Sequence, residues 1–111
     1  MYLDQRLKDI SELQLSVRDP TIKEVFHLYS FRANRRDDLA KYLREKGIDA
    51  KVHYPIPLHK QPAAERYLVA GMDYSNSEEL AAKTVSLPVH EFVTEQQLSE
   101  MVQLIKKFYA N

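Results

Sequence analysis

The chain has 111 residues, a length that suits one domain with one hydrophobic core. Its 16 lysines and arginines balance 16 aspartates and glutamates, so we expect neither nucleic-acid binding nor a polybasic membrane anchor. The absence of cysteine excludes disulfides, thiolate zinc sites and cysteine nucleophiles. The charged start is unlike a signal peptide and no apolar run could span a bilayer, so a cytoplasmic location is expected.

The glycine content is low, with only Gly47 and Gly71. A P-loop or a Rossmann fingerprint needs several closely spaced glycines, so both are excluded. The mass of 13.0 kDa predicts a folded surface of roughly 6,300 Å² by area scaling, which leaves enough buried surface for a core.

The first half of the chain predicts two helices and two strands. Residues 2–15 carry leucine and isoleucine at three-and-four spacing, which predicts an amphipathic helix. Residues 25–32 are rich in aromatic and branched side chains on both faces, which predicts a strand with something packed on each side. Asn34 is the expected cap of a helix over residues 35–46, and Gly47 its left-handed stop. Residues 48–54 alternate as a second strand.

The second half begins with three prolines in residues 55–62, which predict a stiff, extended loop. A short helix is expected over residues 63–69. Ser75 with Glu78 predicts a capping box for a helix that continues to about residue 84. Residues 85–89 predict a short strand at a sheet edge, because Pro88 cannot donate to a ladder. A second capping box, Thr94 with Gln97, predicts the last helix.

This order predicts one domain over residues 1–111, an α/β two-layer sandwich in which a small three-stranded, mainly antiparallel sheet has helices on one face. The second face of that sheet has no cover within the chain. We therefore expect a small domain that docks on another domain or subunit.

Few side chains are candidates for chemistry. Four histidines without a nearby acidic cluster do not complete a metal site, so no metal ligand is predicted. His27 is expected to be half-buried and His90 to lie at the surface. The serines lack a nucleophile motif, and the acidic pairs and Arg35–Arg36 are interpreted as solvated helix starts. No catalytic residue is predicted.

The segment His53–Gln61 differs from the rest of the chain. It combines two histidines, a tyrosine, a lysine and a glutamine in a rigid loop between regular elements. Loops held by a scaffold often carry binding groups. The composition equally suits a turn that stiffens a crossover, so both readings stay open at this point.

Five motifs in order and spacing resemble the C-terminal part of DegT/StrS-type sugar aminotransferases, which are fold-type I pyridoxal-phosphate enzymes. The resemblance covers about residues 2–110. The motifs are H-L-Y at His27–Tyr29, R-D-x-L at Arg36–Leu39, G-I at Gly47–Ile48, H-Y-P-x-P-L-H at His53–His59 and S-L-P at Ser86–Pro88.

The resemblance implies the small domain of an aminotransferase for nucleotide-linked keto sugars, without the large domain that binds pyridoxal phosphate. It implies a homodimer with active sites at domain and subunit boundaries, and a catalytic lysine outside this chain. The chain alone is therefore expected to bind no cofactor and to be inactive, as a fragment or the product of a truncated gene. The residues matched to the substrate-site loop are His53, Tyr54, His59, Lys60 and Gln61.

Three alternatives stay open from the sequence. A free-standing regulatory or ligand-binding α/β module without enzymatic activity would use the sheet face for a small molecule or a second copy. An RNA-binding sheet would use exposed aromatics, but the zero net charge argues against it. Within the family, some members use the cofactor for dehydration, and the deciding residue belongs to the large domain.

Overall fold

The computed structural model describes residues 1–111 and contains three strands, four α-helices and two short 3₁₀ helices. The strands are β1 (Leu13–Gln14), β2 (Tyr29–Ala33) and β3 (Thr84–Leu87). The α-helices are α1 (Tyr2–Leu7), α2 (Arg36–Glu45), α3 (Ser75–Lys83) and α4 (Glu95–Ala110). The 3₁₀ helices cover Leu58–Lys60 and Pro62–Tyr67, and the second replaces the helix expected over residues 63–69.

The sheet has the order β1-β2-β3, and both pairs are antiparallel. Leu13 lies opposite Ala33, and Tyr29 lies opposite Leu87. The predicted fold class, a three-stranded antiparallel sheet packed with helices, is confirmed. β3 lies at the sheet edge, as Pro88 indicated.

The segments that form the strands of the sheet differ from the predicted ones. Residues 48–54 form no strand, and their backbone pairs with the sheet at a single bridge between Lys51 and Ser86. The third strand is β1, which lies within the helix predicted over residues 2–15. That helix ends at Leu7, and turns closed by the N–H groups of Ile10 and Leu13 then lead the chain into β1. A helix this short has little stability of its own, so pairing with β2 decides the structure of the residues that follow it.

Strand β2 begins at Tyr29 rather than at Val25, because its partner β3 ends opposite Tyr29. Pro88 follows β3 and cannot donate a further ladder bond. Val25 is accordingly 86% exposed. The strand itself alternates, with Ser30 and Arg32 half-buried on the second face. The strand predicted over residues 25–32 is therefore wrong in its start, and Phe26 and Leu28 precede β2 instead of lying on its second face.

Helix capping was predicted correctly at only one of three starts. Thr94 and Gln97 form the expected capping box of α4. Asn34 does not cap α2, whose cap residue is Arg35 in the left-handed region at φ 54°. Ser75 is the first residue of α3, and its N–H donates to the Asp73 carboxylate. Helix α2 otherwise matches its predicted span and is followed by Gly47 at φ 87°.

The hydrophobic core lies between one face of the sheet and helices α1, α2 and α4. Tyr29, Phe31 and Leu87 extend from the sheet into it. The helices contribute buried leucines, methionine, valine and isoleucine. These helical residues are Leu3, Leu7, Leu39, Leu43, Met101, Val102 and Ile105.

Outside this core the chain is loosely packed, and much of it is exposed to solvent. The accessible surface is 8078 Å², against about 6,300 Å² for a compact monomer of this mass. The radius of gyration is 15.8 Å, against about 13 Å for a compact domain of this length. No residue in 51–80 is buried. This segment therefore takes its position from a few polar contacts rather than from packing. None of the four α-helices is long and apolar enough to cross a membrane.

Candidate functional site

The loop His53–Gln61 and helix α3 enclose a concavity of ≈ 690 Å³ beside the second face of the sheet. The loop supplies polar groups at its two ends and apolar groups between them, and α3 supplies one side of the concavity. The lining residues are His53, Tyr54, Pro55, Ile56, Pro57, Leu58, His59, Gln61, Tyr74, Ser77, Leu80 and Ala81. Four of the five predicted substrate-site residues, all except Lys60, thus come together around one space.

His53 begins the loop and is anchored to β3. Its Nδ1 lies 3.3 Å from the Ser86 hydroxyl, which in turn lies 2.8 Å from the Ser30 hydroxyl on β2. Ser86 is almost fully buried, with 1% exposure. Because Nδ1 is occupied by this contact, Nε2 is the ring atom of His53 left for a ligand.

His59 lies near the other end of the loop and is anchored to α3. Its Nε2 lies 2.9 Å from Oε1 of Glu78, and its ring stacks on Tyr74 with centroids 4.3 Å apart. A carboxylate can only accept, so Nε2 of His59 carries the hydrogen. The hydrogen bond from His59, helped by the charge of Lys60, lowers the pKa of Glu78 below its ordinary value.

The remaining predicted residues have different roles. Tyr54 is 74% exposed, and its ring meets that of His53 edge to face. The Gln61 side chain donates to the carbonyl of Ile56 at 3.3 Å, a contact within the loop. Lys60 does not line the concavity, and its Nζ lies 3.5 Å from Oε1 of Glu78.

Three residues that anchor the loop were missed from the sequence. Glu78 was interpreted as a helix-start residue, Tyr74 was not considered, and Ser86 was set aside as a strand residue. A usable signal was present in the helical spacing of Tyr74, Glu78 and Ala81, which places them along one face of α3. That face is the one turned toward the loop.

Arg36 fixes the end of α3, against the prediction that it is solvated. The residue is only 8% exposed, and its Nη1 donates to the carbonyls of Ala81 and Thr84 at 2.9 and 2.8 Å. These carbonyls lie at the C-terminal end of α3, where a positive charge is favoured. Arg36 thus connects α2 to the α3–β3 junction, from which Glu78 and Ser86 reach the loop.

The other histidines lie away from the concavity. His27 is exposed, so the half-buried position predicted for it is wrong, while His90 lies at the surface as predicted. No three histidine, aspartate or glutamate side chains come together as a metal-binding group.

A family model described as the DegT/DnrJ/EryC1/StrS aminotransferase family matches residues 1–106. A Geobacillus stearothermophilus protein described as a pleiotropic regulatory protein is 38% identical over 77% of this chain and 23% of its own length. The dTDP-3-amino-3,4,6-trideoxy-α-D-glucose transaminase of Streptomyces venezuelae is 28% identical over 92% of this chain and 27% of its own length. The chain thus spans about a quarter of the length of these curated relatives.

Solved structures share the fold over nearly the whole chain. A Brucella abortus DegT/DnrJ/EryC1/StrS aminotransferase superposes with a TM-score of 0.90 at 27% identity, covering 99% of this chain and 29% of that one. S. venezuelae DesV, solved in complex with a ketimine intermediate, gives a TM-score of 0.89 at 27% identity over 98% of this chain and 29% of its own. Motifs, fold and family model agree, and the chain belongs to the DegT/DnrJ/EryC1/StrS aminotransferase family.

Proposed function

We propose that this chain is the small-domain part of a pyridoxal-phosphate-dependent aminotransferase that acts on nucleotide-linked keto sugars. In this proposal the loop His53–Gln61 contributes to the substrate site. The observation that carries it is the convergence of His53, Tyr54, His59 and Gln61 on one concavity, at the position where the family motif lies. Imidazole, phenol and amide groups are suitable hydrogen-bond partners for sugar hydroxyls and phosphate oxygens.

The substrate class is supported by the relatives that match most of the chain. The S. venezuelae relative and a dTDP-3-amino-3,6-dideoxy-α-D-galactopyranose transaminase of Aneurinibacillus thermoaerophilus, both 28% identical, are described as acting on different nucleotide-linked amino sugars. A concavity that accepts nucleotide-linked sugars as a class, rather than one particular sugar, is consistent with the different sugars of these relatives.

The chain's own residues do not suit pyridoxal phosphate. The cofactor supplies an electron sink for amino transfer, and its usual attachment is a Schiff base with an activated lysine. Lys60, the lysine of the loop His53–Gln61, has a side chain that is 57% exposed and that contacts Glu78. Neither glycine lies in a phosphate-binding loop. We therefore propose that the cofactor and the catalytic lysine belong to a large domain, and that the chain alone is inactive.

The exposed segment 51–80 suits contact with that large domain or with the second subunit of a homodimer. It exposes a run of apolar side chains that a free monomer seldom leaves in water. These side chains are Tyr54, Ile56, Leu58, Tyr67, Leu68, Val69 and Met72.

The absence of cysteine fits a reducing compartment, so the proposed location is the cytoplasm.

A second candidate function is a regulatory or ligand-binding module without enzymatic activity. It is favoured by the G. stearothermophilus relative, which is 38% identical to this chain and is described as a pleiotropic regulatory protein. The two candidates differ in what the chain should do when joined to a cofactor-bearing large domain, since only the first predicts amino transfer.

A nuclear magnetic resonance titration tests the proposed site. The 15N-labelled chain is titrated with thymidine-diphosphate and uridine-diphosphate sugars, and shifts are mapped along the sequence. The proposal predicts saturable shifts concentrated at residues 53–61 and at Tyr74, with none at the exposed His90, which lies on a different part of the surface. Shifts that are absent, or that cluster outside the concavity, contradict the proposed site.

A further inference from the structure

We propose that Glu78 is a positioning residue, which holds the loop His53–Gln61 in the shape that presents the binding groups of the loop to substrate. This inference rests on the proposed function and deepens it, because it says how the substrate loop keeps its shape. Glu78 touches no proposed substrate atom and acts through His59, to which it is joined at 2.9 Å.

The first observation is that the loop has no apolar anchor. Leu58 is 83% exposed and Ile56 is 51% exposed, and no residue from 51 to 80 is buried. Backbone hydrogen bonds near the end of the loop, from Lys60 to Pro57 and from Gln61 to Leu58, are local turns that do not attach it to the domain. Its placement therefore depends on side-chain contacts with the sheet and α3.

The second observation is that one carboxylate oxygen of Glu78 contacts two residues of the loop. Its Oε1 lies 2.9 Å from Nε2 of His59 and 3.5 Å from Nζ of Lys60. The His59 side chain is only 11% exposed, because its other face stacks on Tyr74. The imidazole is thus fixed in direction by Glu78 and in plane by Tyr74.

The third observation is that Glu78 is itself rigidly placed. It lies on α3, whose last turn is tied to α2 by the buried Arg36. The same helix runs directly into β3, which carries Ser86, the anchor of His53 at the other end of the loop. The two histidines are therefore positioned by one continuous α3–β3 unit, through Glu78 and Ser86.

The contact between Glu78 and His59 is better explained by a role in positioning the loop than by a contribution to the stability of the fold. Ion pairs as exposed as this one contribute little to folding, and the Glu78 side chain is 46% exposed. A loop that must be ordered when it binds, however, reduces the binding free energy by the cost of that ordering. Removal of Glu78 should therefore change loop order and ligand affinity far more than the unfolding midpoint.

The test compares Glu78→Gln with the matched control Glu79→Gln. Glu79 is the next residue on the same helix and pairs with Lys83 and Arg32 rather than with the loop. The readouts are the 15N spectrum of the His59 ring, amide exchange of Lys60 and Gln61, and affinity for thymidine diphosphate. Glu78→Asp, which keeps the charge, measures rescue by a conservative change.

The inference predicts that Glu78→Gln alters the His59 ring spectrum, speeds exchange of the two amides and weakens thymidine diphosphate binding by about twofold to fivefold. Glu79→Gln should leave all three unchanged, and Glu78→Asp should recover part of the loss. An unchanged ring spectrum and unchanged exchange in Glu78→Gln would overturn the inference, as would full affinity in that variant.

The two proposals fail separately. If the wild-type chain does not bind thymidine diphosphate, the proposed substrate site is contradicted. The role of Glu78 is then decided by the ring spectrum and the amide exchange alone, with faster exchange in Glu78→Gln supporting it and equal exchange overturning it. A thermal melt of each variant shows that the comparison is made between folded chains.

Discussion

Nδ1 of His53 lies 3.3 Å from the hydroxyl of Ser86, a contact that joins the loop His53–Gln61 to the sheet. The Ser86 hydroxyl is also 2.8 Å from that of Ser30, so the three side chains form one hydrogen-bonded chain across β2, β3 and the loop. This contact directs the imidazole and leaves its Nε2 for a ligand. It also places a polar pair on the sheet face opposite the core.

Substitution of Ser86 by alanine should loosen the start of the loop. Ser86→Ala leaves the Ser30 hydroxyl and Nδ1 of His53 without their partner, at a cost of about 1–3 kcal/mol in the free energy of unfolding. Urea denaturation measures this cost. Ser16→Ala, at an exposed serine, is the control and should stay within about 0.5 kcal/mol of wild type. Equal stability of the two variants would show that Ser86 does not anchor His53.

Arg36 should contribute more to the free energy of unfolding than any other charged residue of α2. Arg36→Ala removes the buried guanidinium that donates to Ala81 and Thr84, and leaves both carbonyls without their donor. We expect a loss of about 2–4 kcal/mol, as for other buried charged hydrogen bonds. Lys41→Ala, on the exposed side of the same helix, should change the free energy by less than about 0.5 kcal/mol. A small effect of Arg36→Ala in urea denaturation would contradict its role at the α3–β3 junction.

Asp4 should make folding sensitive to acid. Partial burial by itself raises the pKa of Asp4, but hydrogen bonds from Arg18 and Tyr29 outweigh this and lower the pKa below its ordinary value. A carboxyl with a lowered folded-state pKa stabilises the fold fully above its unfolded value of about 4, and this stabilisation is lost as pH falls through the folded value.

The Asp4→Asn variant tests this dependence. It should be less stable than wild type at pH 7, by about 1–2 kcal/mol, and the gap should narrow when both are unfolded by urea at pH 3. Asp49→Asn, at a carboxyl with 66% side-chain exposure, is the control. A gap between Asp4→Asn and wild type that is the same at both pH values would rule out the proposed linkage.

Tyr42 on α2 and Tyr109 on α4 lie where the two helices pack. Removal of the hydroxyl group should change the stability of the fold in different ways at the two positions. The Tyr42 hydroxyl is buried without a hydrogen-bond partner, whereas that of Tyr109 donates to the Asn34 carbonyl at 2.6 Å. Burial raises the pKa of Tyr109 to about 12, so the hydroxyl stays a donor at neutral pH.

Tyr42→Phe should therefore be neutral or stabilising, because it removes an unsatisfied buried group. Tyr109→Phe should cost about 1 kcal/mol, because it leaves the Asn34 carbonyl without its donor. Thermal unfolding of the two variants beside wild type measures the difference. A loss in Tyr42→Phe as large as that in Tyr109→Phe would mean that the hydroxyl of Tyr42 has a partner, such as a bound water.

The sequence was sufficient for the features that depend on local chemistry. Gly47 stops α2, Thr94 caps α4 and the spacing of the apolar residues of α4 follows its buried face, because each is decided within a few residues. The presence of a three-stranded antiparallel sheet was also predicted. The strand at its edge was identified by Pro88.

The errors arise where distant residues decide the local structure. β1 was predicted as helix because three-and-four spacing persists to Leu13, but pairing with β2 determines its conformation. Arg36 was interpreted as solvated because its partners are carbonyls 45 and 48 residues away. Glu78 and Ser86 were missed for the same reason, since their role depends on where the loop lies in space.

The most direct test of the proposed function places this chain in a complete enzyme. The 102 residues of the S. venezuelae transaminase that match this chain are replaced by it, and the chimera is loaded with pyridoxal phosphate. Amino transfer has two half-reactions, one with the amino donor and one with the nucleotide sugar, which are measured separately. The His53→Ala chimera is compared with the chimera carrying His90→Ala, at an exposed histidine outside the concavity.

We predict that the chimera reacts with both substrates, and that His53→Ala raises KM for the nucleotide sugar by about tenfold without changing the amino-donor half-reaction. A structural defect would instead slow both half-reactions, and His90→Ala should slow neither. A cofactor-loaded chimera that reacts with the amino donor but not with the nucleotide sugar, or a His53→Ala variant with unchanged KM, would contradict the assignment of this loop to the substrate site.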